Sequence, residues 1–237
     1  MCGSGLKAVM LGMQAIQSGD AQVIISGGME NMSSVPYLLP KARSGYRLGH
    51  GEIIDSMITD GLWDAYYDKH MGSCAEMLAE KNNISREEQD QIAEQSYTKA
   101  QIAIKSGWFS DEIVSVSVPQ RKGASIIVDQ DEEPQRVNFE KMKKLRPAFE
   151  KSGTITAANA SKINDGAAAV LISSSEFAHS NQLKAQAKMI AQASFAHEPD
   201  WFTTAPIKAI SKVLSIAGFN EKDIDLWEIN EAFAPVA

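Results

Sequence analysis

Short apolar runs alternate with amphipathic helical segments along this chain, and the alternation constrains its fold more than any other feature. The run at 22–26 is bounded by Gly19 and Gly27, which predicts a buried strand. Further strands are predicted at residues 114–118, where apolar and polar residues alternate, and at 170–173, 189–195 and 225–229. Helices are predicted at residues 6–16, 73–80, 85–106 and 206–217. Strands and helices that alternate in this way indicate an α/β fold.

The ends of three helices carry local signals. Gly19 and Gly218 follow the first and last helices, where a glycine C-cap is expected. Ser85 and Glu88 have the spacing of a capping box at the start of the longest helix. These residues set the expected helix boundaries.

Cys2 begins the sequence Cys-Gly-Ser-Gly, which opens the first helix. One face of this helix carries only small residues, so a second backbone is expected to approach it closely: Gly5, Ala8, Gly12 and Ala15. A cysteine at a helix N-terminus meets unpaired N–H groups and the positive end of the helix dipole, which favour a thiolate. The adjacent glycines leave room for a substrate carbonyl. The stretch therefore predicts a nucleophile, although a lone cysteine among small residues is more often an inert packing residue.

Composition excludes several classes of function. The formal net charge of −7 argues against general binding to nucleic acid or to a membrane surface. Cys2 and Cys74 are the two cysteines and give no disulfide framework, which favours a reducing, cytoplasmic location. We find no apolar run of membrane-spanning length, expect no signal peptide, and predict no metal site.

Three further stretches have the composition of ligand sites. Residues 154–169 contain few large side chains, which allows close approach of another backbone or of a ligand. Residues 27–33 are predicted to be a glycine-rich turn carrying Glu30 and Asn31, directly after the first strand. The polar pair Asn230 and Glu231 likewise follows the last predicted strand. Strand ends of this kind are frequent site positions in α/β sheets.

Five motifs stand in the order found in thiolases, and through them the whole chain resembles that family, most closely its acetyl-CoA acetyltransferase branch. The motifs are Cys2-Gly3-Ser4-Gly5, Gly27-Gly28-Met29-Glu30, His70-Met71-Gly72, Asn159-Ala160-Ser161 with Asn164-Asp165-Gly166, and Asn230-Glu231-Ala232-Phe233. Each motif alone is a weak signal, but five in order at compatible spacings are not expected by coincidence.

The resemblance implies a thiolase fold of two similar βαβαβαββ halves, with a loop domain inserted into the first half. Residues 1–36 and 164–186 would belong to the N-terminal half, residues 37–163 would form the CoA-binding loop domain, and residues 187–237 would begin the C-terminal half. We expect the fold to be incomplete here, because the chain resembles the middle of a thiolase without either end. Such a chain would expose sheet edges and an apolar face.

The implied chemistry is a reversible Claisen condensation of two acetyl-CoA molecules to acetoacetyl-CoA and CoA, or the reverse thiolysis. Cys2 would carry the acetyl group as a thioester, and Asn230 would orient a water of the oxyanion hole. CoA thioesters are substrates, and no cofactor is expected. The residues that match the family's pantetheine channel are Leu62, His70, Met71, Phe149, Ala157, Ala160, Ser161, Ala232 and Phe233.

The sequence also departs from the family. The histidine of a Gly-His-Pro segment and the second cysteine of a Cys-x-Gly-Gly segment follow the Asn-Glu-Ala-Phe motif in thiolases, and neither segment stands in this sequence. Cys74, His50, His179 and His197 stand in other contexts. An arginine that often lies near the CoA phosphates is replaced by Pro134, with Arg136 as a nearby substitute. We therefore expect the chain alone to be inactive.

Two alternatives remain open at this point. One is a degradative 3-ketoacyl-CoA thiolase with a preference for longer acyl chains. The other is a catalytically dead protein that binds acyl-CoA. Thiolases are dimers or tetramers, so the resemblance implies a homodimer or a homotetramer.

Overall fold

The computed structural model describes residues 2–237, which divide into two compact units. The first unit comprises the residues up to Cys74 together with Ile163–Ala232, and the second comprises Ala75–Lys162 with Phe233–Ala237. Over residues 2–237, no helix combines the length and the apolarity that crossing a lipid bilayer requires. The three-part division inferred from the thiolase resemblance remains a prediction.

Helices and short strands alternate along the chain. The α-helices are α1 (Ser4–Ser18), α2 (Met71–Lys81), α3 (Arg86–Lys105), α4 (Glu133–Arg136), α5 (Phe139–Met142), α6 (Ser175–Ser180) and α7 (Ala205–Ala217). The strands are β1 (Val23–Asn31), β2 (Tyr37–Leu38), β3 (Ile54–Asp55), β4 (Trp63–Asp64), β5 (Lys69–His70), β6 (Val116–Val118), β7 (Ile126–Val128) and β8 (Asp165–Ser173). A π-helix spans Met57–Leu62, and short 3-10 helices span Met32–Ser34, Pro199–Thr204, Glu221–Asp223 and Ala234–Val236. The predicted helices are confirmed at all four places.

The longest strands of the first unit form an antiparallel pair. β1 and β8 run side by side from Val23 opposite Ser173 to Asn31 opposite Asp165. One side of this pair leaves large apolar side chains in solvent, including Ile25 at 74% and Leu171 at 59% exposure. The apolar sheet surface expected from the sequence is therefore present.

The small-residue face of α1 lies against this sheet, as the sequence predicts. The Ser26 hydroxyl in β1 donates a hydrogen bond to the Ala8 carbonyl at 3.3 Å. A Cβ placed on the buried Gly12 would lie only 2.5 Å from Cδ1 of Ile172 in β8. Gly19 ends the helix in the left-handed conformation, with φ at 85°. The close approach of α1 to the sheet therefore depends on glycine at position 12.

β1 is longer than predicted, because residues 27–31 continue the strand instead of forming a turn. Each of them lies opposite a residue of β8 in the antiparallel pair. At Gly27 the Ala168 carbonyl of β8 comes so close that a Cβ would collide with it. Glycine at this position therefore permits close strand pairing, and the prediction of a turn was wrong.

Two other predicted strands do not form. No strand forms at residues 189–195 or 225–229. A strand requires a hydrogen-bonded neighbour, and neither segment pairs with another described segment. In the second of these, Leu226 is 87% exposed. The predicted strand at 114–118 shortens to β6 and is exposed instead of half-buried, because it pairs only with β7 in an isolated hairpin.

The second unit packs around α3 and the C-terminal part of α2. Its buried apolar residues are Ala75, Leu78, Ala79, Ala93, Ala103, Met142, Ile155, Phe233 and Ala234. The predicted capping box begins α3: Ser85 donates its backbone N–H to Glu88 at 2.7 Å, and its hydroxyl accepts from the Glu88 N–H at 3.2 Å. These contacts fix the start of the helix on which several buried polar residues lie.

Candidate active site

Cys2 lies immediately before Gly3, the N-cap residue of α1, and is exposed. Gly3 has no side chain that could cap the first N–H groups of the helix. A Cβ added at Gly3 or at Gly5 would meet no atom within 4 Å, so the space beside the helix terminus is open. The arrangement leaves both the sulfur and the helix N–H groups accessible to a substrate carbonyl.

Cys74, unlike the exposed Cys2, is buried. It is 0% exposed in the first turns of α2. Burial, and next the negative charge of Asp64, raise the pKa of the Cys74 thiol. A buried thiol that is harder to ionise is a packing residue, not a nucleophile. Cys2 is therefore the better candidate of the two.

His70 is held by the β4–β5 hairpin. Trp63 is its cross-strand partner, and the two rings are nearly perpendicular, at 86°, with centroids 6.4 Å apart. The backbone N–H of Gly72 donates to Nδ1 of His70 at 2.9 Å, which assigns the proton of the neutral ring to Nε2. Burial lowers the pKa of His70, so the ring is kept neutral. The hairpin and the Gly72 hydrogen bond thus hold the His70 ring in a fixed orientation.

Two more predicted residues flank the same hairpin. Leu62 is the last residue of the π-helix and directly precedes Trp63, whereas Met71 is the first residue of α2 and directly follows His70. Because Trp63 and His70 are paired, Leu62 and Met71 lie at the same end of the hairpin. The structure therefore brings three predicted substrate-lining residues together in the first unit.

Asn230 and Ala232 lie in an irregular segment of the same unit. Asn230 is exposed, and Ala232 is half-buried. Among residues 2–237, no hydrogen bond or ring contact joins Asn230 to Cys2. The role predicted for Asn230 remains a prediction.

The second unit gathers the remaining predicted residues. Ala160 forms a β-bridge with Phe233, and the Phe233 ring meets the Phe149 ring edge-on, with centroids 5.8 Å apart. Ala157 precedes this bridge, and its carbonyl accepts a hydrogen bond from the Lys162 ammonium. The exposed Ser161 directly follows Ala160. The β-bridge and the ring contact thus place Phe233 beside Ala160 and Phe149, which are distant from it in the sequence.

Sequence reasoning missed the buried polar residues that support this cluster. Glu76, Gln89 and Asp90 are 9%, 0% and 8% exposed, although charged and amide residues on helices usually face solvent. Their sequence positions give no signal of burial. Arg136, suggested as a phosphate-binding substitute, pairs with Glu132 at 3.0 Å, and both side chains are 62% exposed.

The chain matches two protein-family models. The family model described as "Thiolase, N-terminal domain" matches residues 1–176, and "Thiolase, C-terminal domain" matches residues 183–237. Acetyl-CoA acetyltransferase from Pseudomonas aeruginosa is 51% identical over 235 residues, and acetyl-CoA acetyltransferase 2 from Arabidopsis thaliana is 48% identical over 239. The chain covers 60% and 59% of these relatives, so it spans about 60% of their length.

Two solved structures also match nearly the whole chain. The Acat5 thiolase from Ascaris suum, determined in complex with coenzyme A, matches with a TM-score of 0.92 and 41% identity, over 99% of this chain and 60% of that one. The acetyl-CoA acetyltransferase from Syntrophomonas wolfei matches with the same TM-score and identity, over 99% and 59%. The fold is that of a thiolase, incomplete relative to these structures, and the chain belongs to the thiolase family.

Proposed function

We propose that the protein is an acetyl-CoA C-acetyltransferase that joins two acetyl-CoA molecules into acetoacetyl-CoA and CoA, or catalyses the reverse thiolysis through Cys2. The observation that carries the proposal is the exposed Cys2 at the N-terminus of α1 in a thiolase chain. Relatives named acetyl-CoA acetyltransferase, at 51% and 48% identity, support the acetyl-specific reaction over the longer-chain degradative one.

The first half of the reaction acetylates Cys2. The thiolate attacks the carbonyl carbon of acetyl-CoA, a new carbon–sulfur bond forms, and the bond to the CoA sulfur breaks. The displaced CoA thiolate takes up a proton and leaves as free CoA. The N–H groups at the start of α1 stabilise the thiolate before attack.

The second half forms the carbon–carbon bond. A second acetyl-CoA loses a proton from its methyl carbon, and the resulting enolate attacks the acetyl group on Cys2. The carbon–sulfur bond to Cys2 breaks, which regenerates the thiolate and releases acetoacetyl-CoA. In the thiolase family the proton transfers belong to a Gly-His-Pro histidine and to the second cysteine, of a Cys-x-Gly-Gly segment, neither of which stands in this sequence. Asn230 orients an oxyanion-hole water by the same resemblance.

The residues that match the family's pantetheine channel form two sets, and each set lies within its own unit. In the first unit, Leu62, His70 and Met71 flank one hairpin, with Ala232 on the irregular segment. In the second, Ala160 and Phe233 are bridged, beside Phe149, Ala157 and Ser161. These small and apolar side chains suit the slender pantetheine arm of CoA.

The assembly and location are part of the same proposal. The family resemblance supports a homodimer or a homotetramer, and the exposed apolar side of the β1–β8 sheet is consistent with further packing. Two free thiols and no disulfide in the described chain support a reducing, cytoplasmic location.

The test is turnover by the natural protein, with acetoacetyl-CoA and CoA compared with a longer 3-ketoacyl-CoA and CoA. We expect faster thiolysis of acetoacetyl-CoA, and we expect Cys2→Ser to abolish turnover of both. Cys74→Ala is the matched control and should remain active, because Cys74 is buried away from solvent. Full turnover by the Cys2→Ser variant would exclude the proposed chemistry. Binding of CoA without any turnover would favour the catalytically dead alternative.

A further inference from the structure

Glu76 is a carboxylate in the interior of the second unit. It lies in α2 and is 9% exposed. Its oxygens accept hydrogen bonds from the backbone N–H of Thr154 at 3.0 and 2.9 Å, from that of Ile155 at 2.8 Å, and from the Thr154 hydroxyl at 3.0 Å. A buried carboxylate is tolerated only where several donors converge on it, as they do here. Glu76 thereby fixes two consecutive backbone amides.

Gly153 shows how closely the backbone surrounds this carboxylate. A Cβ at Gly153 would lie 2.7 Å from Cδ of Glu76, so only glycine fits without a shift of the carboxylate. The Gly153 N–H donates to the Glu150 carbonyl at 3.0 Å, which turns the chain just before the contact. The backbone of residues 153–155 therefore packs directly against the Glu76 carboxylate.

A second anchor holds the next residues of the same segment. Oδ1 of Asn159 accepts the Thr156 N–H at 2.7 Å, and its Nδ2 donates to Oδ1 of Asp90 at 3.0 Å. Asp90 in turn accepts a hydrogen bond from Nε of Arg86 at 2.8 Å. Thr156 and Asn159 are 0% and 3% exposed, so these hydrogen bonds are shielded from water. The segment 154–159 is thus tied to α2 at one end and to α3 at the other.

The anchored segment leads directly into the proposed CoA-binding residues. The Asn159 carbonyl accepts the Ala234 N–H at 2.9 Å, and Ala160 bridges to Phe233. Ala157 lies between the two anchors, and Ser161 follows them. A shift at Thr154 or Ile155 would therefore be transmitted to the residues that we assign to the pantetheine arm.

We propose that Glu76 is a positioning residue for acyl-CoA binding, which sets the path of residues 154–161 without touching the substrate. The inference rests on the proposed function, because it takes the ligand of residues 157–161 to be a CoA thioester. Loss of the Glu76 charge is therefore expected to weaken the affinity for substrate and to leave the rate of the chemical step at Cys2 unchanged.

Glu76→Gln is the decisive variant, since the amide keeps the side-chain shape and loses the charge. In the natural protein we expect KM for acetoacetyl-CoA to rise about tenfold and kcat to stay within about twofold. Amide hydrogen exchange at Thr154 and Ile155 should become faster. Glu80→Gln is the matched control, because it removes the same charge from the exposed side of the same helix.

The outcomes separate the inference from the proposed function. If the unaltered protein neither turns over acetoacetyl-CoA nor binds CoA in calorimetry, the proposed function fails, and the inference fails with it. If the unaltered protein is active and Glu76→Gln keeps its KM, only the inference is overturned. A variant with a lower melting temperature and an unchanged KM would show a purely structural carboxylate, which also overturns it.

A second variant covers the case in which Glu76→Gln does not fold. Thr154→Val keeps the branched shape and removes the hydroxyl that donates to Glu76 at 3.0 Å. We expect KM to rise by a smaller factor, and Thr154→Ser, which keeps the hydroxyl, to restore it. Equal KM values for Thr154→Val and Thr154→Ser would contradict the positioning role.

Discussion

Substitution of Gly12 by alanine gives the sharpest test of how α1 is positioned. In an open helix, glycine to alanine gains about 1 kcal/mol of stability from helix propensity. At Gly12, the new Cβ would lie 2.5 Å from Cδ1 of Ile172 and 2.7 Å from Oγ of Ser26. Ordinary contacts between carbon atoms are about 3.5–4.0 Å, so the helix or Ile172 must move by about 1 Å.

Gly5 provides the control within the same helix. A Cβ there would meet nothing within 4 Å, so Gly5→Ala changes propensity without adding a clash. Overpacking typically costs about 1–3 kcal/mol, and we expect Gly12→Ala to be less stable than Gly5→Ala by this amount. Equilibrium urea denaturation of the natural protein and the two variants measures the difference.

The same displacement should reach the sulfur of Cys2, because α1 carries Cys2 at its N-terminus. A misplacement of about 1 Å can slow a reaction about a hundredfold, so acetylation of Cys2 should slow accordingly in Gly12→Ala. Equal stability of the two variants, or a Gly12→Ala protein more stable than the unaltered one, would refute the close packing of α1 on the sheet.

Three further outcomes follow from the contacts. Ser85→Ala should lower the unfolding free energy by about 1 kcal/mol in urea, because the α3 cap is lost. Ser33→Ala should raise the pKa of Asp165 towards its ordinary 3.8 in an NMR titration, since hydrogen bonds from Ser33 lower it. Burial lowers the pKa of His70 below 6.5, so its contribution to stability is complete above pH 6.5 and is lost as the pH falls below it. NMR titration of the His70 ring checks this, and a midpoint at or above 6.5 would contradict it.

Features that depend on local chemistry could be predicted from the sequence. The caps at Gly19 and Ser85 are of this kind, because a left-handed glycine and a serine–glutamate capping box are determined within a few residues. The small-residue face of α1 could also be predicted, and Gly12 lies on it where the sheet approaches too closely for a larger residue. The alternation of helices and strands then sufficed for the α/β class.

Features that depend on distant partners could not be predicted. Residues 27–31 have the composition of a turn, but β8 pairs with them and makes them a strand. Residues 225–229 have the composition of a strand, but no described segment pairs with them. Glu76 is the clearest case at the candidate site, because its burial depends on amides 78 and 79 positions away along the chain. The proposed role of Asn230 came from the family resemblance, and that of Cys2 came from its position at a helix N-terminus together with the resemblance; both roles remain to be tested.

The central claim is that Cys2 carries the acetyl group. The direct measurement is peptide mass spectrometry of the natural protein after brief exposure to acetyl-CoA without free CoA. We predict an acetyl thioester on the peptide that contains Cys2, removed by hydroxylamine, and none on the buried Cys74. An unmodified Cys2, with the acetyl group on another residue or nowhere, would contradict the account.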